Sequence, residues 1–219
     1  MEGFTEDASI PATLAQIPLG LGGHLRATSP CFTPGTLIAT DRGPQPVETL
    51  RRGDRVVTRD NGLKRIMWVG QRAFNHRELT ENDDLQPILV RAGALGNGFP
   101  KRDMIVSPQH RFLVGPEISP LMGGGDEALV AARHLVDHRG VRAASMLGVS
   151  YIHIMMNAHE VILANGSWTE SFHPEDHVIR ALAPNQRREI LMMFPEIATV
   201  GAAKRFPPVR PILKSRFDS

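Results

Sequence analysis

The middle of the chain alternates between short apolar runs and polar turns. Two Asn-Gly pairs, Asn61-Gly62 and Asn165-Gly166, separate such runs, and this dipeptide favours tight hairpins because both residues tolerate positive φ. The runs are TLIAT, DRVVTR, LKRIMWVGQRAF, DMIVS, HRFLVG, YIHIMM and HEVILA. Their length and spacing predict a β-rich domain over residues 30–175.

Two parts of different composition flank this domain. Residues 1–29 are rich in Gly, Ala, Pro, Ser and Thr, and this composition predicts a flexible leader. Residues 176–219 predict a C-terminal helix followed by a basic, Pro-rich tail, which we expect to be extended or disordered. The sequence therefore predicts one domain with a segment on either side.

The C-terminal helix is expected to run from Pro184 to Glu196. Proline suits the first helical turn, where its missing N–H leaves no hydrogen bond unmade, and Pro195 ends the pattern. We expect the apolar face of this helix to pack on the β-rich domain or on a partner. That face carries Ile190, Leu191 and Phe194.

Composition excludes several classes of protein. The 219 residues carry a formal net charge of only +2, and a pI of 9.0 reflects this slim excess, so we expect no nucleic-acid partner. The single cysteine excludes an internal disulfide and leaves the redox compartment open. Glu2, Glu6 and Asp7 stand where a secretory signal needs positive charge, and no run reaches the ~18 apolar residues of a membrane span. The protein is expected in the cytoplasm, or outside the cell by a route without an N-terminal signal.

The single cysteine lies at the start of the β-rich domain. Cys31 follows Pro30 and precedes a turn-prone stretch, whereas a structural cysteine would more naturally lie inside an apolar run. Ser107 and His110 lie on one polar Ser-Pro-Gln-His turn between two apolar runs, where both can face one point. His153 interrupts a strand that is otherwise apolar, and a buried histidine bonded to the backbone is as good a reading there as a catalytic one. These four residues are the candidates for chemistry.

Three motifs resemble those of hedgehog/intein (Hint) domains, and in particular the bacterial stand-alone branch of that family. The motifs are CFTPGTLIAT with GPQPVETLRRGDRVVT, then VSPQHRFLV, then YIHIMMNAHEVILANGSWTESF, and they occur in the family's order. The resemblance implies an all-β, compact, horseshoe-like fold with a pseudo-twofold arrangement, here with a C-terminal helix added. It also implies self-catalysed chemistry at the peptide bond before Cys31.

In the chemistry that the resemblance implies, the Cys31 sulfur attacks the Pro30 carbonyl and converts the amide into a thioester. His110 matches the histidine of the family's Thr-x-x-His motif and would protonate the departing amide, while Ser107 replaces the threonine and would hold that amide. His153 lies near the position where inteins carry an aspartate that activates the cysteine. His159 matches the histidine before the final intein strand, where a structural role is expected. The leader itself is then the substrate, and no cofactor or metal is expected.

The end of the domain departs from the inteins that splice. Such inteins end in His-Asn followed by Cys, Ser or Thr, whereas here Glu170 and Ser171 hold those positions and Phe172 follows. Without the terminal asparagine, cyclisation cannot release the C-terminal flank. We therefore expect single-turnover cleavage without splicing, with water or a thiol as the acceptor. No extra region that would recruit a sterol is present.

Two other functions remain open from the sequence. The first is a non-catalytic β-module that has retained the fold, because Pro30 restricts the backbone at the bond to be cut and only thirty residues precede Cys31. The second is a Cys-His hydrolase that acts on separate substrates. We rank the hydrolase last, because no matched Asn or Asp would orient its histidine.

Overall fold

The computed structural model describes residues 29–122, 125–136 and 138–213. The predicted flexible leader, apart from Ser29, and the last six residues of the predicted tail lie outside the described residues. Most of the described regular structure is β. The strands are β1 Leu37–Thr40, β2 Gly43–Pro46, β3 Arg55–Thr58, β4 Gly62–Arg65, β5 Trp68–Asn75, β6 Ile88–Val90, β7 Met104–Val106, β8 Arg111–Val114, β9 Ala128–Ala131, β10 Val141–Ala143, β11 Gly148–Met155, β12 Val161–Ala164, β13 Ser167–Glu170 and β14 Ile212–Leu213.

The helices are short and lie mostly after the strands. They are α1 His76–Glu81, α2 Asp176–Ala181, α3 Pro184–Met193, α4 Glu196–Val200 and α5 Ala202–Arg205. Single 3₁₀ turns occur at Val47–Thr49, Asp83–Leu85, Ser119–Met122 and Ala132–Leu135. No helix in the described part of the chain is long and apolar enough to cross a bilayer.

The strands form three open sheets. The largest runs in the order β14-β9-β8-β13-β12-β1-β3-β4, and β2 pairs with β1 beside this path. A second sheet has the order β10-β6-β7, and the long antiparallel pair of β5 and β11 forms the third. Phe32 bridges the last two, because it pairs with Val106 of β7 and with Ile152 of β11. The predicted β-rich fold is therefore confirmed.

The Asn165-Gly166 hairpin forms as predicted. Asn165 and Gly166 have φ of 46° and 81°, and the flanking Ala164 and Ser167 face one another across the strands. Two residues with positive φ are what a two-residue hairpin loop needs, so this turn follows from the sequence alone. The Asn61-Gly62 pair also lies in a hairpin, with Gly62 at a φ of 64° opposite Thr58.

Three apolar cores lie in the described part of the molecule. The largest lies among the sheets and includes Phe32, Phe112 and Ile152. A small third core contains Cys31 together with Phe74 and Tyr151. The second core joins the strands to the C-terminal segment, where Trp68 and Phe172 meet Ile190 of α3 and the residues Phe194 and Phe206 that follow α3 and α5. In the structure the C-terminal helical segment therefore packs on the β-rich domain.

The C-terminal segment corrects two expectations. One helix was predicted over 184–196, but α3 ends at Met193 and a further helix, α4, begins after Pro195. The helices α2, α4 and α5 have only four to six residues, which is too short for a helix to be stable alone. They are stabilised by packing on the domain, and their short sequences carry no pattern from which they could be predicted. The tail is also more ordered than predicted, since β14 adds to the large sheet parallel to β9.

Truncation of a buried α3 side chain tests this second core. Ile190 is fully buried, whereas Met192 on the same helix is 77% exposed. We expect Ile190→Ala to lower the free energy of unfolding by about 2–5 kcal/mol in a urea titration, because it leaves a cavity. The matched variant Met192→Ala should stay within about 0.5 kcal/mol of the parent. Equal midpoints for the two variants would show that α3 does not pack on the domain in solution.

Candidate active site around Cys31

Backbone pairing fixes the start of the domain between two sheets. Phe32 exchanges backbone hydrogen bonds of 2.9 and 2.8 Å with Ile152, and the Ser107 N–H donates to the Cys31 carbonyl at 3.1 Å. Cys31 is thus held at the seam between β7 and β11, with its side chain 3% exposed. The thiol is placed by backbone contacts on both sides of the chain.

Ser107 holds the nitrogen of the Pro30–Cys31 peptide bond. The Cys31 N–H donates to Ser107 Oγ at 3.0 Å, and the same hydroxyl donates to the Ser29 carbonyl at 2.9 Å. Because the hydroxyl both accepts and donates, its orientation is fixed relative to the peptide. The sequence prediction that a hydroxyl of this turn lies at the amide is matched by this geometry.

His153 lies against the other end of the same peptide bond. Its Nδ1 is 3.1 Å from the Pro30 carbonyl oxygen and 3.3 Å from Cys31 Sγ. A carbonyl oxygen only accepts hydrogen bonds, so Nδ1 must carry the proton of the neutral ring. The side chain that β11 turns toward the seam therefore contacts both the Cys31 sulfur and the Pro30 carbonyl oxygen.

A glycine and two aromatic rings position His153. Gly70 faces His153 across the β5–β11 strand pair, and a Cβ at Gly70 would lie 2.0 Å from the Trp68 ring. The missing side chain thus leaves room for Trp68 to stack near the imidazole, with centroids 6.0 Å apart and planes at 15°. Phe172 closes the edge at 5.1 Å. The sequence analysis missed these three residues, since only the pairing register shows that Gly70 opposes His153.

His110 lies behind Ser107 and does not contact the thiol directly. Its backbone N–H donates to the Ser107 carbonyl at 3.0 Å, which closes the Ser-Pro-Gln-His turn. Its ring packs edge-on against Phe32, with centroids 4.5 Å apart, and against Phe112. Neither ring nitrogen has a hydrogen-bond partner among the described residues, although both are buried. A buried nitrogen without a hydrogen-bond partner lowers the stability of the folded state, so the position of His110 calls for an explanation other than stability.

The comparison with protein families settles what kind of domain this is. A family model described as "Hint domain" matches residues 30–176. The chain belongs to the Hint domain family. The resemblance found in its motifs is therefore confirmed, and so is the all-β, Hint-type fold.

Solved structures similar to this Hint domain are inteins and an intein-like domain. The gp41-1 intein is 13% identical, with 64% of this chain and 97% of that chain covered at a TM-score of 0.38. The MchDnaB-1 intein variant N145AA is 14% identical, with 63% and 97% covered at 0.41, and the bacterial intein-like domain from Clostridium thermocellum is 16% identical, with 64% and 96% covered at 0.38. No curated protein matches. Family membership supports a self-processing Hint-type domain in general terms.

The resting site of this Hint domain carries no charge on its candidate groups. Burial raises the pKa of the Cys31 thiol to about 12, only partly offset by the hydrogen bonds with Ser29 and Ser107. Burial also lowers the pKa of His110 and of His153 to about 4. At neutral pH the sulfur is therefore a thiol that donates to the Ser29 carbonyl at 3.2 Å, and both imidazoles are neutral. A reaction here must move protons as bonds change.

A buried charged network lies behind the site, at the end of β13. Glu170 is fully buried and accepts from the Arg111 N–H at 2.9 Å and from its guanidinium at 3.1 Å. Burial raises the pKa of the Glu170 carboxyl, but Arg111 and His159 more than offset this, so the pKa lies below its usual range. Arg111 also binds Glu175, and the hydrogen bond with His173, together with the Arg111 charge, lowers the pKa of Glu175 to about 2. The sequence analysis recorded Glu170 only as a departure from the splicing inteins.

Three members of this network have the spacing of metal ligands. One donor atom from each of His159, Glu170 and His173 lies within 4.8 Å of the others. However, the Val209 N–H donates to His159 Nδ1 at 3.3 Å, so the ring proton must be on Nε2, which faces Glu170 Oε2 at 3.3 Å and cannot bind a metal in that form. Arg111 already supplies the positive charge. The group is therefore better described as a hydrogen-bonded ion network.

The pH dependence of thiol alkylation tests the buried state of Cys31. With a thiol pKa of about 12, the rate of iodoacetamide alkylation should rise about tenfold per pH unit from about pH 7 to about pH 10, without a plateau. The urea-unfolded chain is the control, and its rate should level off near a pKa of ~8.5. Mass spectrometry reports a single event because the chain has one cysteine. A plateau in the folded protein below about pH 9 would contradict the described environment.

Proposed function

We propose that this Hint domain cleaves its own chain once, between Pro30 and Cys31, and does not splice. The observation that carries the proposal is that two side chains contact the two polar ends of one peptide bond. Ser107 Oγ accepts from its N–H at 3.0 Å, and His153 Nδ1 lies 3.1 Å from its carbonyl oxygen, with the thiol beside them. A fold that needed only to bury this peptide would not have to bring two side chains to both of its polar ends.

In the first step, Cys31 Sγ bonds to the Pro30 carbonyl carbon and the carbonyl oxygen becomes negative. His153 Nδ1–H points at that oxygen and stabilises the charge as it forms, which is the role of an oxyanion-hole donor. The C–N bond then breaks and leaves a thioester between Pro30 and Cys31. The proton lost by the thiol is balanced by the one gained by the amine of Cys31.

His110 is the candidate that delivers the proton to the leaving amine. The amide nitrogen leaves poorly unless it is protonated, and His110 can relay the proton that the thiol gives up, because a neutral imidazole accepts at one ring nitrogen and donates from the other. Support comes from its unpartnered nitrogens and from its place on the turn that also supplies Ser107. In this scheme Ser107 orients the amide, and His110 acts as the general acid.

Hydrolysis or transfer to a thiol, and not splicing, is the proposed fate of the thioester. The position of the intein asparagine is Ser171, whose Oγ accepts from the Glu160 N–H at 3.0 Å, and Glu170 before it is held by Arg111. Neither side chain can cyclise as an asparagine does. The chain then continues into α2.

The alternative is a β-module that has retained the Hint fold without the reaction. The thiol's raised pKa and the restricted backbone at Pro30 favour this alternative. A hydrolase acting on separate substrates is favoured less, because Cys31 is 3% exposed and its own N-terminal peptide occupies the groups that would bind a substrate. The experiments below separate these functions.

Relief of the proline restriction should reveal the cleavage. In Pro30→Gly with dithiothreitol at neutral pH, we expect the first thirty residues to be released over hours, because the thioester forms more readily and an external thiolate attacks it. Intact-mass spectrometry measures the release. The double variant Pro30→Gly with Cys31→Ala is the control and should stay whole. An unchanged mass in the single variant would favour the idle β-module.

Substitution of His110 or His153 should slow the release of the leader, whereas substitution of a histidine far from the site should not. In the Pro30→Gly background, His110→Ala should slow release by about 10²–10⁴-fold through loss of the acid. His153→Ala should slow it by about 10²–10³-fold through loss of the donor to the oxyanion. His76→Ala, at an exposed position on α1, should leave the rate unchanged. Equal rates for all three variants, each folded by circular dichroism, would remove both histidines from the mechanism.

A further inference from the structure

A narrow cleft leads to the Cys31 sulfur from the side of the C-terminal helices. It is lined by Ser29, Cys31, Arg72, His153, Leu182 and Gln186, among others, and encloses about 40 Å³. A water molecule needs roughly 10–15 Å³ measured in this way, so a few waters or one slender group fit beside the sulfur. Because the cleft borders both Cys31 and His153, it reaches the place where the thioester would form.

The C-terminal segment forms one wall of this cleft. Leu182 and Ala183 connect α2 to α3 and line the cleft opposite the β5–β11 strand pair. Gln186 of α3 is buried and donates from Nε2 to the Gln71 carbonyl at 3.1 Å, which fastens the helix to β5 beside the cleft. This part of the chain therefore limits what can reach the sulfur by this route.

Arg72 supplies a positive charge to the same cleft. Its guanidinium lies 4.5 Å from the centre of the Phe74 ring, which also lines the cleft. Within the described residues no carboxylate forms an ion pair with Arg72, and the side chain is only partly exposed. In addition to burial, the Arg72 charge contributes to lowering the pKa of His153, so its field is felt at the reacting groups.

We infer that this cleft is the acceptor site for the thioester and that Arg72 selects a slender anionic acceptor, namely a small thiol bearing a carboxylate or sulfonate. The inference rests on the proposed function. The acceptor sulfur bonds to the Pro30 carbonyl carbon, the bond from that carbon to Cys31 Sγ breaks, and the proton of the acceptor thiol passes to Cys31. The leader leaves as a new thioester, and Arg72 holds the acceptor's anionic end meanwhile.

Three thiols of similar size and different charge test this selection. The full chain with Pro30→Gly is treated with 3-mercaptopropionate, 2-mercaptoethanol or cysteamine at equal thiolate concentrations, and release of the leader is timed by mass spectrometry. Release with 3-mercaptopropionate should be about tenfold faster than with 2-mercaptoethanol, and cysteamine should be slowest. The difference should shrink in about 1 M salt, because part of the cleft is open to solvent.

Variants at Arg72 separate selection from structure. Arg72→Gln should lower the ratio of the rate with 3-mercaptopropionate to the rate with 2-mercaptoethanol from about ten to about one, whereas Arg72→Lys should retain the advantage. A uniform loss of rate with all three thiols in Arg72→Gln would overturn the inference and assign Arg72 a structural role.

Hydroxylamine distinguishes failure of the inference from failure of the proposed function. It is small and uncharged, and it traps thioesters irrespective of an anion site. If hydroxylamine releases the leader and the three thiols react at equal rates, the anion-selective site is wrong and self-cleavage stands. If neither hydroxylamine nor any of the thiols releases the leader, the proposed self-cleavage is wrong and the acceptor site falls with it.

Discussion

The pairing of Phe32 with Ile152 is the contact on which the rest of the site depends. Two backbone hydrogen bonds of 2.9 and 2.8 Å hold the start of the domain against β11, and Val106 pairs with the same residue from the other side. Since side chains alternate along a strand, a shift of one residue in this register would turn His153 away from the peptide bond. The geometry of the candidate site is therefore set by the pairing of the strands.

Electrostatics around this seam separate neutral reacting groups from fixed charges. The thiol and both imidazoles are buried without a charge partner of their own, so their ionised forms are disfavoured. The nearby ionic groups, Glu170 and Arg111, satisfy each other by two hydrogen bonds. The resting domain is thus stable in this state, and charge would appear only during a reaction, where His153 is already oriented toward it.

Much of this arrangement can be predicted from the sequence, and particular residues show where prediction ends. The Asn165-Gly166 turn and the Ser-Pro-Gln-His turn can be predicted because each depends only on the backbone conformations of residues that are adjacent in the sequence. Gly70 and Trp68 matter only because β5 pairs with β11 in one register, which no local pattern reveals. The short helices α2, α4 and α5 carry no clear signal in the sequence and depend on apolar contacts with the domain, whereas α3 is long enough to be predicted.

The leader side of the Pro30–Cys31 bond supplies the acceptors that complete the site. The Ser29 carbonyl accepts from the thiol at 3.2 Å and from Ser107 at 2.9 Å, and the Pro30 carbonyl faces His153 at 3.1 Å. In the proposed reaction these carbonyls depart with the leader, so the domain left behind holds three donors without their acceptors. In the proposed reaction, the precursor therefore completes its own active site with carbonyl groups from the segment that cleavage removes.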